Sequence, residues 1–130
     1  MTHTFPVRVY YEDTDLAGIV YYANYLKFIE RARTEWVRGL GIDQTVLKNT
    51  HDIVFAVRRV EADYLAPARF DDELVVETDV EKLTGARIVL TQDVLRGDAV
   101  LFRSRVTLVA LTGAGGPARL PANIRQKLGG

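Results

Sequence analysis

The residues best suited to chemistry crowd into one stretch, Tyr10-Tyr11-Glu12-Asp13-Thr14-Asp15-Leu16-Ala17-Gly18-Ile19-Val20-Tyr21-Tyr22-Ala23-Asn24-Tyr25. Three acids and five tyrosines fall within these sixteen residues, at the entry to a segment with helical periodicity. The start of a helix presents unpaired N–H groups and the positive end of its dipole. A carbonyl aimed there is polarised as in an oxyanion hole. A neighbouring carboxylate can then attack the carbonyl carbon, or take a proton from the water that does. Gly18, which has no Cβ, permits close backbone approach. A plainer reading stands beside this one: Asp13 or Asp15 caps a turn, and the tyrosines are half-buried packing. The residues alone leave both open.

Other chemistries have little to work with. The sequence has no cysteine, which removes disulfides, Cys-ligated zinc, iron–sulfur clusters and a thiolate nucleophile. Its one serine, Ser104, lies in an alternating stretch without a Gly-x-Ser-x-Gly turn. The two histidines, His3 in the N-terminal tail and His51 in an expected loop, form no His-x-x-x-His pair and no cluster with carboxylates. No metal site is expected. Chemistry falls to carboxylates, tyrosines and backbone dipoles.

The elements that position this stretch follow from periodicity. Phe5 to Tyr11 reads as a strand, with Phe5, Val7, Val9 and Tyr11 on one face. Glu12 to Gly18 is a polar connection. From Ala23 to Leu40 the period becomes helical: Tyr25, Phe28, Ile29, Ala32, Trp36, Val37 and Leu40 share a face, and Gly39 and Gly41 supply the stop. A short helical turn, Asp43 to Lys48, precedes strands at Ile53–Tyr64, Glu73–Lys82, Ala86–Leu95 and Ala99–Leu111, with a terminal helical turn at Ala122–Leu128. The order predicts an α+β fold, one long helix against a twisted antiparallel sheet of about five strands. A single-layer sheet leaves an edge and a face exposed, so two chains are expected to pair.

Composition sets the outer limits. The 130 residues are 48% apolar, enough for a real core in a single domain spanning 1–130. Lysine plus arginine number 17, as do aspartate plus glutamate, so the formal net charge is zero. That balance argues against nucleic acid or an anionic membrane surface as a general partner. The N-terminus lacks a basic region followed by an apolar run. The longest near-apolar runs, Ile19–Ala23 and Val106–Leu111, fall far short of the roughly 20 residues that span a bilayer. A cytoplasmic protein without membrane insertion is the expectation.

Four runs, Val9-Tyr10-Tyr11-Glu12-Asp13-Thr14-Asp15, Gly18-Ile19-Val20-Tyr21, Asn24-Tyr25-Leu26 and Phe28-Ile29-Glu30-Arg31-Ala32-Arg33, together resemble a known signature. It is the active-site signature of hotdog-fold acyl-CoA thioesterases of the 4-hydroxybenzoyl-CoA thioesterase type. Within these the chain is most similar to the branch associated with the Tol–Pal cell-envelope system. Tyr64, Ala66-Pro67-Ala68-Arg69, Asp71-Asp72 and Leu120-Pro121 also fit that branch, so the likeness runs in order from about Val7 to Ile124.

The resemblance implies a set of roles. Asp15 is the catalytic carboxylate, as nucleophile or general base, and the backbone N–H of Tyr22 polarises the thioester carbonyl. Tyr11 matches a site tyrosine, while Asp13 matches a recurrent motif position read here as structural. Gly18, Val20 and Tyr25 belong to the substrate-binding surface. Coenzyme A needs cations for its phosphates, and Arg58, Arg59, Lys82 and Arg87 are candidates, with Arg58 and Arg87 preferred. The implied substrate is an acyl-CoA, hydrolysed with water and without metal or redox cofactor. The implied assembly is a homodimer or a homotetramer built as a dimer of dimers. Many members of the Tol–Pal branch carry histidine where this chain has Tyr22, so a histidine acid–base role is not expected here. Two alternatives remain at this level: a thioesterase acting on acyl groups held by acyl carrier protein, and a non-catalytic acyl-CoA binding module.

Overall fold

The computed structural model describes residues 2–129. Strand β1 (His3–Arg8) leads through a tight turn at Tyr11–Asp13 to the central helix α1 (Asn24–Gly39) and then to helix α2 (Gln44–His51). Strands β2 (Ile53–Tyr64), β3 (Glu73–Leu83), β4 (Arg87–Arg96) and β5 (Ala99–Thr112) follow, and a short helix α3 (Ala122–Lys127) ends the chain. The strands form one antiparallel sheet in the order β1-β3-β4-β5-β2. This is the expected α+β arrangement, one long helix packed on a five-stranded antiparallel sheet.

Helix α1 forms where the apolar spacing said it would. Tyr25, Phe28, Ile29, Ala32, Trp36 and Val37 are its buried face. That face packs on β3, β1 and β4, against Val76, Leu90, Val94 and their neighbours in the core. At the C-terminus, Gly41 takes a left-handed φ of 80° and its N–H donates to the Arg38 carbonyl (3.0 Å), which closes the helix. One polar side chain sits inside this interface. Gln92 of β4 is fully buried and donates to the Ile29 carbonyl (2.9 Å) and the Thr78 hydroxyl (2.9 Å), while its Oε1 accepts from Arg33 (3.0 Å). Burial lowers the pKa of the Arg33 guanidinium, with Glu30 nearby opposing that effect.

Three expectations are corrected. The first strand ends at Arg8, not Tyr11. Val9 leaves the sheet ladder because its N–H donates to Asp72 and its carbonyl accepts from Asp71, both at 2.9 Å. Tyr10 then gives its N–H to the Asp13 carboxylate (2.8 Å), and the chain turns. Second, His51 lies in α2 and not in a loop: the helix runs to the left-handed Asp52 (φ 55°), beyond the expected end at Lys48. Asp43 starts it by accepting the Thr45 and Val46 N–H groups. Third, His3 is in β1, where it pairs with Thr78, not in a free tail.

The two edges of the sheet differ. Strand β1 has six residues and carries Pro6, both common devices for blunting an edge. Strand β2 is twelve residues long and has the other edge to itself. Its Val57 and Val60 are 46% and 38% exposed. No helix among the described residues is long and apolar enough to cross a membrane.

Candidate active site

The stretch rich in acids and tyrosines folds into a short hairpin-like loop followed by an unusual helix start. Thr14 bridges Val20, and the Gly18 N–H donates to the Asp15 carbonyl (2.9 Å), so residues 15–18 form a tight turn. Gly18 has a φ of 80°, a region that L side chains rarely adopt, and a Cβ there would meet nothing within 4 Å. Within the chain its glycine is therefore required by backbone conformation. Asp15 accepts the Ala17 N–H on Oδ1 (3.0 Å) and has its other carboxylate oxygen without a partner among the described residues.

Asp13 behaves differently. It is buried, its Oδ2 accepts the Tyr10 N–H, and its carbonyl accepts both the Tyr21 N–H (2.9 Å) and the Asn24 side-chain amide (2.9 Å). Asp13 thus uses its carboxylate and its carbonyl to hold this loop together. Asn24, the first residue of α1, ties the helix to this loop; a short polar side chain at a helix start is the signal that could have flagged it.

Ala23 is the N-cap of α1 and offers no side chain to its N–H groups. Ser, Thr, Asp or Asn normally fills that position. The Asn24 N–H is taken by the Tyr21 carbonyl (2.8 Å), but the N–H groups of Tyr22 and Ala23 make no hydrogen bond among the described residues. A helix entrance left uncapped in this way is available to an external acceptor.

Asp15 and Tyr22 line the same cavity, about 410 Å³ in volume. Ile19, Val20, Tyr21 and Tyr25 complete the wall from the loop and α1, and Tyr64, Leu65, Ala66 and Pro67 supply the opposite wall. The second wall is held by the first. The Tyr25 hydroxyl accepts the Ala68 N–H (3.1 Å), and the Val20 N–H donates to the Ala68 carbonyl (2.8 Å). Tyr25 also stacks on Phe102, with ring centroids 5.0 Å apart and planes at 6°. Burial raises the Tyr25 phenol pKa, the Ala68 N–H opposing. The neighbouring Tyr22 phenol raises that of Tyr21, and the charge on Asp15 adds to it. Both hydroxyls stay protonated at neutral pH.

The remaining candidates lie elsewhere in the chain. Tyr11 is 82% exposed and packs edge-on against Phe70, 6.3 Å between centroids, outside the cavity. Arg58 occupies the bulge in the middle of the β2 edge. Arg87 pairs with Val109 at the far end of β4, whereas the cavity lies by the Tyr64–Phe102–Val94 end. Seven positions along a strand separate Arg87 from Val94, about 23 Å at 3.3 Å per residue. Within one chain neither arginine meets the cavity. Tyr64, Leu65, Ala66 and Pro67 line the cavity without any local signal for it, since nothing in a strand end marks it as facing a loop some forty residues away. Among the described residues no group of three or more His, Asp or Glu is placed to hold a metal ion.

A carboxylate with a free oxygen on Asp15 and an unpartnered peptide N–H on Tyr22, two residues that line one largely apolar cavity, are groups that can bind and hydrolyse an activated carbonyl. Comparison with known proteins narrows the class. Residues 17–103 match the thioesterase superfamily. The acyl-CoA thioesterase YbgC of Haemophilus influenzae is 41% identical over 123 residues, covering 94% of this chain and 90% of that protein. The acyl-CoA thioester hydrolase YbgC of Escherichia coli is 42% identical over 104 residues, 80% of this chain and 77% of that one. The crystal structure of a probable thioesterase from Bartonella henselae superposes with a TM-score of 0.89 at 37% identity, covering 93% of this chain and all of that one. The chain belongs to the thioesterase superfamily. It is an enzyme, a thioester hydrolase.

Proposed function

We propose that this thioesterase hydrolyses acyl-CoA to a free acid and CoA, with Asp15 and the Tyr22 N–H as its reacting groups. The observation that carries this is the cavity that both residues line, Asp15 with a free carboxylate oxygen and Tyr22 with an unpartnered N–H. The thioester carbonyl oxygen accepts from the Tyr22 N–H, which stabilises the negative charge that develops on it. Asp15 then acts by one of two routes. It attacks the carbonyl carbon, expelling CoA thiolate and leaving a mixed anhydride that water opens, or it takes a proton from water that attacks directly. Both routes yield one carboxylic acid and one CoA thiol, and neither needs a metal. The names of the Haemophilus influenzae and Escherichia coli relatives support acyl-CoA as the substrate, a cytoplasmic metabolite that puts the enzyme's work there.

The reading extends to assembly. The long unblunted β2 edge, with Val57 and Val60 exposed beside it, suits pairing with β2 of a second copy about a twofold axis. Such pairing would also let a second copy bring Arg58 or Arg87 toward this cavity, which its own copies do not reach. Arg58 and Arg87 are then the cations for the CoA phosphates. Tyr11, exposed beside the loop, is left for the outer part of the substrate.

The test is release of CoA thiol from short, long and aromatic acyl-CoAs. The chain has no cysteine, so a thiol-reactive dye reads product alone. Turnover on at least one class is the expected result. Turnover only on acyl groups carried by acyl carrier protein would move the substrate to that carrier, and saturable CoA binding without turnover would overturn the enzyme mechanism.

A further inference from the structure

We infer that Asn24 is a positioning residue for this hydrolysis, its side-chain amide clamping the turn whose first peptide carries the Tyr22 N–H. The inference rests on the assignment of that N–H to the thioester carbonyl. The Tyr22 N–H belongs to the peptide joining Tyr21 to Tyr22, and in a flat trans peptide the N–H points opposite to the C=O. Whatever fixes the Tyr21 carbonyl therefore fixes the donor. That carbonyl accepts the Asn24 N–H at 2.8 Å, which closes a turn from Tyr21 to Asn24 and points the Tyr22 N–H away from Asn24. The Tyr64 hydroxyl holds only the next peptide, through the Tyr22 carbonyl at 2.9 Å.

Both ends of this turn are anchored to one atom. The Tyr21 N–H donates to the Asp13 carbonyl at 2.9 Å, and the Asn24 side-chain amide donates to the same oxygen at 2.9 Å. Asp13 is held in turn by Tyr10, whose carbonyl accepts the Asp13 N–H (3.0 Å) and whose N–H meets its Oδ2 (2.8 Å). Without the Asn24 amide the turn meets that carbonyl at the Tyr21 end alone, and the Tyr21–Tyr22 peptide can pivot there. Asp13 lies two residues before Asp15, so the same clamp sets the donor relative to the carboxylate. Asn24 does not line the cavity, so its loss leaves the substrate's contacts in place. A donor aimed before the reaction begins is worth most in the transition state.

The experiment compares wild type, Asn24→Ala, Asn24→Asp and Asp43→Ala on the best acyl-CoA of the panel. A CoA ketone, with a methylene in place of the thioester sulfur, serves as the ligand that binds without being cleaved. The expected result is kcat reduced about five- to tenfold in Asn24→Ala, with KM within about twofold. Asn24→Asp keeps the shape but has no hydrogen to give, and should lose at least as much. A carboxylate is favoured in the first turn of a helix, so this variant keeps the test open if the alanine variant fails to fold. Asp43→Ala loses the cap of α2, away from the cavity lining, and should melt lower with kcat unchanged. In an amide proton–nitrogen spectrum, saturating ketone should move the wild-type Tyr22 proton downfield, and move it less in Asn24→Ala. Equal kcat in Asn24→Ala and wild type overturns the inference alone, as does a full Tyr22 shift in that variant. A kcat in Asp43→Ala that falls as far also overturns it, because the loss is then one of stability. A wild-type Tyr22 signal that ignores the ketone fails the underlying assignment, and the positioning role with it.

Discussion

The Tyr25 hydroxyl, on the buried face of α1, accepts the Ala68 N–H at 3.1 Å, and the Ala68 carbonyl accepts the Val20 N–H at 2.8 Å. The phenol thus ties the helix to the turn after β2, and the Ala68 carbonyl ties that turn to the loop bearing Asp15. Ala68 is fully buried, so its N–H has no water to turn to if the hydroxyl is lost. Tyr25→Phe should cost about 1–3 kcal/mol of stability. Chemical denaturation should show a lower midpoint with an unchanged slope; an unchanged midpoint would remove this bond from the fold's support.

Asp15→Asn should lower kcat by about a hundredfold to ten-thousandfold, the range for loss of a general base. The fold should persist, because the Asn side-chain oxygen can still accept the Ala17 N–H that Asp15 accepts now. Thiol release and a thermal melt on the same preparation separate the two effects. Near-normal turnover would take Asp15 out of the mechanism.

Gly18→Ala should destabilise by about 1–2 kcal/mol through its left-handed backbone alone, since the added methyl meets open space. Asn tolerates that region better than Ala, so Gly18→Asn should lose less. Equal losses in the two variants would point to a contact the backbone account omits.

The turn that forms the second cavity wall is anchored by Asp72, whose Oδ2 accepts the Arg69 N–H and a guanidinium N–H of Arg96, both at 2.8 Å. Burial pushes this carboxyl upward, but the Arg69 N–H and the Arg96 charge outweigh it and hold the pKa below the usual carboxylate value. A depressed pKa stabilises the fold above the unfolded value, near pH 4, and that stabilisation fades as pH falls through the lower folded value. Wild type should therefore melt above Asp72→Asn at pH 6, with the gap closing as pH falls below the usual carboxylate value of about 4. A gap that stays constant across this range would refute the linkage.

If β2 pairs with a second copy, charges on its uncovered apolar positions should prevent it. Val57→Lys combined with Val60→Lys should shift sedimentation from dimer toward monomer, with little effect on the fold because both side chains are already partly exposed. An unaltered dimer would place the interface on another surface.

Periodicity carried much of this fold because it is a local property. The spacing of Tyr25, Phe28, Ile29, Ala32, Trp36 and Val37 defines one face of a helix whatever lies opposite, and the observed α1 differs from expectation by one residue at each end. The alternation in β3, β4 and β5 is local in the same sense. So is the density of acids and tyrosines between Tyr10 and Tyr25, which marked the segment now found at the cavity.

Direction is not local, and there the tertiary structure decided. Asp13 and Asp15 are two residues apart and equally acidic in sequence, yet a bond from the Tyr10 N–H turns one inward and the tight turn at Gly18 leaves the other at the cavity. Tyr11 continued the strand's alternation, but the hydrogen bonds between Val9 and residues 71 and 72 ended that strand and sent its ring outward. Arg87 and Tyr64 both lie at strand ends; antiparallel register alone puts the first far from the cavity and the second against Tyr22. A side chain's type and its neighbours in sequence set what it can do. What it faces depends on hydrogen bonds and register made with residues many positions away, which no short-range pattern encodes.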